Sequence, residues 1–186
     1  MTAVLITISG LPGSGKTTVA RLVARDLGLE HVYAGNIFRR QAQANGLTLE
    51  EYLKRAETDP SIDRELDRHM ETRAAAGEAV LEGRLAAFMA DRAGAEALKV
   101  FLDASEAVRA RRISDREGGA AAQRLREIQA REASDRRRYL DLYGVDYHDR
   151  TRYDLVVETD RRTPEEVAEV IVERARARFA TDDGSR

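Results

Sequence analysis

AVLITISGLPGSGKTTVARLVARDLG, residues 3–28, runs from an apolar stretch through a glycine turn into a helical pattern. Residues 3–9 are almost uninterrupted in their apolarity, as expected of a strand covered on both faces. Beyond the turn, Val19, Leu22, Val23 and Leu27 recur at helical spacing, and Gly28 supplies a stop. The turn itself, Gly10-Leu11-Pro12-Gly13-Ser14-Gly15-Lys16-Thr17 with Thr18 following, fits G-x-x-x-x-G-K-[ST] without departure. Glycines let the backbone curl so that successive N–H groups converge on phosphate oxygens, and the helix N-terminus adds a positive dipole. These residues therefore predict a cradle for a nucleoside triphosphate, with Lys16 reaching the β and γ phosphates and the Thr17 hydroxyl on Mg2+. The motif leaves the fate of the γ phosphate open, because switches, motors and small-molecule kinases share it.

The same alternation continues along the chain. Further strands are predicted at 30–33, 79–82, 97–102 and 153–158, with helices between them. This is the pattern of an α/β fold of the P-loop NTPase kind, a five-stranded parallel sheet flanked by helices, with the first and fourth strands central. Between the second and third strands, residues 36–77 hold three helical patterns, and Asp59-Pro60 supplies an N-cap followed by proline at the first helical position. That is more helix than a crossover requires, so it is read as an insert. A second excursion, from Ser105 to about Tyr143, breaks at Gly118-Gly119. The last helix starts near Thr163-Pro164 and turns Val167, Val170, Ile171 and Arg174 inward, and the tail TDDGSR is expected to fray. The chain is thus expected to be one domain: core 1–33, 78–110 and 144–180, insert about 34–77, lid region about 111–143.

Composition narrows the chemistry. The 186 residues contain no cysteine, which excludes disulfides, thiolate metal sites and cysteine nucleophiles. His31, His69 and His148 lack metal-ligand spacing and are assigned no chemistry. A net charge of -2 argues against a nucleic-acid partner. No apolar run approaches the ~18 to 20 residues needed to cross a bilayer, and the start has no basic leader, so a cytoplasmic location without membrane association is expected. Of 31 basic residues only Lys16, Lys54 and Lys99 are lysine, so arginines carry weight only where several share a helix face.

Two such faces exist. Arg109, Arg112 and Arg116 lie at i, i+3 and i+7, and Arg131 and Arg138 lie two turns apart with Asp135 between them. Phosphoryl transfer between two anions needs this kind of screening, and the guanidinium fork binds phosphate bidentately. Glu82 ends the third strand beside the phosphate loop, where a carboxylate orients metal-bound water or, alternatively, serves as a helix N-terminal acid ahead of Gly83 and Arg84.

Several segments then carry a resemblance: ITISGLPGSGKTTVA, YAGNIFR, TLEEYLKRAETDPSIDRELD, LEGRLAAFM, FLDASEAVRARRISDREG, REASDRRRYLDLYG and YDLVVET. In this order they resemble the nucleoside monophosphate kinases, most closely the short cytidylate kinases of archaea, over nearly the whole chain. The resemblance implies ATP as phosphoryl donor, CMP and dCMP as acceptors, Mg2+ as metal, and a monomer. It implies that Ala34, Gly35, Arg39, Gly83 and Arg84 surround the acceptor monophosphate, that Arg112 packs on adenine and that Arg116 meets the donor phosphates. It further implies that Arg131 and Arg138 are lid arginines fixed by Asp135, and that Glu82 is the acid near magnesium. Ala34 departs from several bacterial cytidylate and adenylate kinases, which carry a serine or threonine there, so base choice is less constrained. A carboxylate accepting the exocyclic amino group would tell cytosine from uracil, and Asp59, Asp63 and Asp67 are candidates. The alternatives are an AMP, UMP or broad-specificity nucleoside monophosphate kinase and, from another class, a P-loop ATPase switch.

Overall fold

The apolar runs become five strands in a computed structural model that describes residues 3–180. They are β1 (Leu5–Gly10), β2 (Glu30–Tyr33), β3 (Ala79–Glu82), β4 (Leu98–Asp103) and β5 (Leu155–Glu158). All pair in parallel, in the order β2-β3-β1-β4-β5. β1 is central and buried along its whole length, and β4 lies beside it, as the continuous apolar runs require. The edge strands β2 and β5 carry exposed positions instead. β5 starts two residues later than expected. Arg150–Arg152 forms a 3-10 turn, the Asp154 N–H donates to the Lys99 carbonyl at 2.9 Å, and Tyr153 is turned against Phe101, ring centroids 4.9 Å apart.

Side chains alternate across the sheet and build a core on each face. Leu5 joins Phe101, Met70, Met89 and Tyr147 on one side, while Ile6 and Ile8 join Val19, Val100 and Ile171 on the other. α1 (Lys16–Leu27) leaves the glycine turn directly and stops at Gly28, whose φ of 67° is the left-handed conformation that ends helices. α8 (Pro164–Phe179) buries Val167 and Ile171 as expected; Arg174, expected inward, is exposed because Ala175 takes the next inward position. The tail TDDGSR lies outside the described residues.

The insert comprises α2 (Ala34–Ala44), α3 (Leu49–Ala56) and α4 (Pro60–Ala76), with a small core of Phe38, Ala42, Tyr52, Ala56 and Ile62. Its starts follow local chemistry: Thr48 and Glu51 form a capping box, and Asp59 accepts from the Ser61 N–H at 3.1 Å ahead of Pro60. α5 (Ala86–Arg92) follows β3. α6 (Glu106–Glu117) and α7 (Ala121–Tyr143) meet at Gly118-Gly119, both at positive φ, and pack Ala110 and Ile113 on Ile128. Among the described residues no helix is long and apolar enough to cross a membrane.

Candidate active site

The carboxyl ends of β1 and β3 deliver the glycine loop and the Glu82-Gly83-Arg84 segment to the same edge of the sheet. Thr48, Asp59, Ser105 and Thr163 cap other helices with side-chain oxygens, whereas α1 begins at Gly15 with no side-chain cap and no acid in its first turn. The first N–H groups of a helix have no intrahelical partner, so this end is left for an external anion. Gly13 has φ 82°, and a Cβ there would stand 2.8 Å from the Arg109 carbonyl oxygen, so the loop lies directly on α6. Ser14 is buried and its Oγ has no hydrogen-bond partner among the described residues, a further group suited to a phosphate oxygen.

Lys16 donates to the Leu11 carbonyl at 2.7 Å. Burial, then the Arg84 charge and that of Arg131, push its ammonium down to about 7, with Glu82 opposing. The Thr17 hydroxyl donates to Glu82 Oε1 at 2.7 Å, and the other oxygen of the buried Glu82 meets His31 Nε2 at 2.9 Å. His31, assigned no chemistry from sequence, is therefore the partner that orients Glu82. Only the parallel register of β2 on β3, which sets Tyr33 opposite Glu82, signals it. Among the described residues no three His, Cys, Asp or Glu side chains form a metal cage. A hydroxyl with one carboxylate behind it fits a magnesium ion whose remaining ligands are phosphate oxygens and water.

Across the cavity, Arg84 Nε lies 2.7 Å from the Asp135 carboxylate of α7. Burial works against its charge, but Asp135 together with Tyr139, Tyr147 and Tyr33 outweighs it and raises the pKa, so Arg84 stays ionised. Arg131, one turn earlier, is pushed down to about 10, first by the Arg84 charge and then by burial, with Asp135 opposing. Arg138 donates to Asp135 Oδ1 at 2.8 Å and lies 3.3 Å from Asp63 of α4. One network, Arg84–Asp135–Arg138–Asp63, therefore joins the sheet edge, α7 and the insert. The Arg39 guanidinium lies over the Tyr33 ring at 5.4 Å and 3.4 Å from its hydroxyl. Any Cβ on Gly35 would come within 2.5 Å of that ring.

The structure brings these groups around one cavity of about 600 Å³. The residues singled out from sequence for donor, acceptor and metal line it except Gly10 and Leu11 at the start of the loop, and of the further candidates Arg109 and Asp59 do not. Arg112 donates to the Thr159 hydroxyl at 3.0 Å and to its carbonyl at 2.6 Å, fixing it beside the loop, and the exposed Arg116 pairs with Glu117. Arg109 corrects the expectation of a continuous basic stripe. It is 2% exposed, donates to the carbonyls of Ala104 and Pro12 at 3.1 and 3.2 Å, and pairs with Glu132. Helical spacing predicts direction but not depth, and Arg109 lies where α6 passes under the loop, so it holds the loop instead of facing ligand. Asp59 is a helix cap and does not line the cavity; Asp63 and Asp67 do. Tyr33, Tyr143 and Thr159 were missed, because tyrosine and threonine carry no motif of their own.

A phosphate loop closing the central strand of a 2-3-1-4-5 sheet, with arginines gathered opposite its lysine, places the protein in the class of P-loop kinases. The solved structures it resembles agree on the fold. Shikimate kinase from Acinetobacter baumannii in complex with shikimate matches with TM-score 0.61 at 17% identity, over 97% of each chain. A gluconokinase from Sinorhizobium meliloti matches with TM-score 0.60 at 19% identity, over 96% of this chain and 94% of that one. Within the class, the chain belongs to the cytidylate kinase-like family, whose model matches residues 5–161. It is 46% identical over 167 residues to the cytidylate kinase of Pyrococcus horikoshii, covering 90% of this chain and 85% of that one. It is 47% identical over 178 residues to that of Methanopyrus kandleri, covering 91% of each.

Proposed function

We propose that the protein transfers the γ-phosphoryl group of ATP to CMP, and to dCMP, giving ADP and the corresponding diphosphate. The observation that carries this is the shared cavity: Arg84 and Arg131 lie close enough to Lys16 to depress its pKa. A lysine and arginines so close together are mutually repulsive until anions separate them, and two nucleotide phosphate groups meet that need. The acceptor is argued from the cytidylate kinases to which the chain is nearly half identical along nine-tenths of its length.

In this reading, Gly10 to Thr18 hold the donor phosphates, Arg112 packs on adenine and Arg116 reaches the donor phosphates. Arg39 and Arg84, with Ala34, Gly35 and Gly83 leaving room, hold the acceptor phosphate. Bound Mg2+ would supply positive charge to the reacting phosphates. Thr17 would ligate it and Glu82 would orient its water. An ionised oxygen of the acceptor phosphate attacks the γ phosphorus in line, and the bond to the bridging oxygen breaks with its electron pair leaving on ADP. That oxygen is already largely ionised near neutral pH, so no general base is required. Arg131 and Arg138 stabilise the transferring group, and Asp135 holds them in place. Closure of the insert over about 34–77 and of the lid region over about 111–143 would keep water from competing. We read the enzyme as a cytoplasmic monomer without nucleic-acid or membrane partners.

The test is a coupled assay of ADP formation with Mg-ATP and CMP, dCMP, UMP, AMP or GMP in turn. Rapid ADP release is expected with CMP and dCMP. Preferred turnover of AMP would move the protein to another acceptor, and slow ADP release that ignores every acceptor would make it an ATPase switch.

A further inference from the structure

The acceptor half of the cavity has one wall built by a single helix face. Asp63, Leu66, Asp67 and Met70 of α4 recur at i, i+3, i+4 and i+7, and all four line it. Phe38 and Met89 add further apolar surface, so the lining suits a flat ring with apolar faces and a polar edge.

The two carboxylates on this face differ in what they already hold. Asp63 is committed to Arg138 at 3.3 Å, within the ion network that reaches Arg84. Asp67, only 8% exposed, forms no ion pair among the described residues. Its Oδ2 accepts from the Tyr143 hydroxyl at 2.8 Å, and no described donor is paired with Oδ1. Oδ1 is not one of the fully buried unpartnered oxygens but keeps exposure where Asp67 lines the cavity, while burial of the rest of the side chain pushes the carboxyl up to about 7 even with Tyr143 attached. What the site lacks is an N–H donor brought in from the cavity.

Resting on CMP as acceptor, we propose that Asp67 tells cytosine from uracil, with Oδ1 accepting a hydrogen of the exocyclic amino group while Tyr143 fixes Oδ2. Uracil presents a carbonyl oxygen at the same place, which offers no hydrogen and repels the ionised carboxylate that prevails above neutral pH. The preference of about ten- to a hundredfold expected from one such contact is set by this side chain.

Steady-state kinetics with CMP and UMP on wild type, Asp67→Asn and Asp67→Ala decides the matter. An amide can turn either its oxygen toward the cytosine amino group or its NH2 toward the uracil carbonyl. Asp67→Asn should therefore keep kcat/KM for CMP within about fivefold and raise that for UMP, shrinking the CMP to UMP ratio at least tenfold. Asp67→Ala should lower kcat/KM for CMP at least tenfold and leave UMP little changed. A ratio in Asp67→Asn equal to that of wild type overturns the assignment and leaves CMP as acceptor untouched. A wild-type enzyme indifferent between CMP and UMP removes the Asp67 role alone, whereas one that turns over neither removes the acceptor reading with it. Should either variant fail to fold, Tyr143→Phe keeps the carboxylate but frees it to rotate. It must raise KM for CMP more than KM for UMP, and equal effects on the two overturn the proposal.

Discussion

Lys16 should take up a proton when Mg-ATP binds. In the free protein, burial and the charges of Arg84 and Arg131 hold its pKa at about 7 against the opposing pull of Glu82. Triphosphate oxygens reverse that balance and return the ammonium toward the ordinary lysine value of about 10.4. At pH 8 a group with pKa near 7 is about nine-tenths neutral, so binding should take up about 0.9 proton; at pH 6 it should take up about 0.1. Because the neutral form must first be charged, apparent affinity should weaken about tenfold, or about 1.4 kcal/mol, between pH 6 and pH 8. Isothermal titration calorimetry of Mg-ATP in two buffers of different ionisation enthalpy reads the uptake directly. Lys16→Arg, charged throughout, should show none. Identical heats in the two buffers at pH 8 for the wild-type protein would mean that the ammonium is already charged before ATP arrives, and the electrostatic reasoning would fail.

Lys16→Ala and Arg131→Ala should each lower kcat by about 10²- to 10³-fold with thermal midpoints little changed, and near-normal turnover in either would count against the mechanism. Asp135→Ala leaves Arg84 and Arg138 without their shared carboxylate. It should cost about 3–5 kcal/mol, a drop of roughly 6–20 °C in thermal midpoint, and a loss under about 1 kcal/mol by denaturant titration would show the network to be well solvated. Gly13→Ala puts a Cβ 2.8 Å from the Arg109 carbonyl at a φ of 82°. It should destabilise by about 1–3 kcal/mol and weaken ATP binding, and unchanged melting and affinity would show that the loop gives way freely.

Much of the site was readable because it is local. The glycine loop needs its N–H groups and its left-handed backbone turns on consecutive residues, so Gly10 to Thr18 declare it without reference to anything distant. Asp59 before Pro60 and the break at Gly118-Gly119 were readable for the same reason. Arg109 is not legible in the same way: it lies on the expected helix face, but the loop and Glu132 cover it, and neither lies near it in sequence. His31 shows the converse, a residue without a motif that meets Glu82 because β2 lies beside β3.

Sequence alone determined the class of fold, the glycine loop and which arginines share a helix face, since period, glycine spacing and helix caps are properties of neighbouring residues. Tertiary structure decided which charges meet. The Thr17–Glu82–His31 chain spans three elements, and the Arg84–Asp135–Arg138–Asp63 network depends on how α4 and α7 pack over the end of β3. Those distances arise from strand register and helix packing, which join residues dozens of positions apart. For that reason Asp63 holds an arginine while Asp67, one turn along the same helix, keeps an oxygen uncommitted.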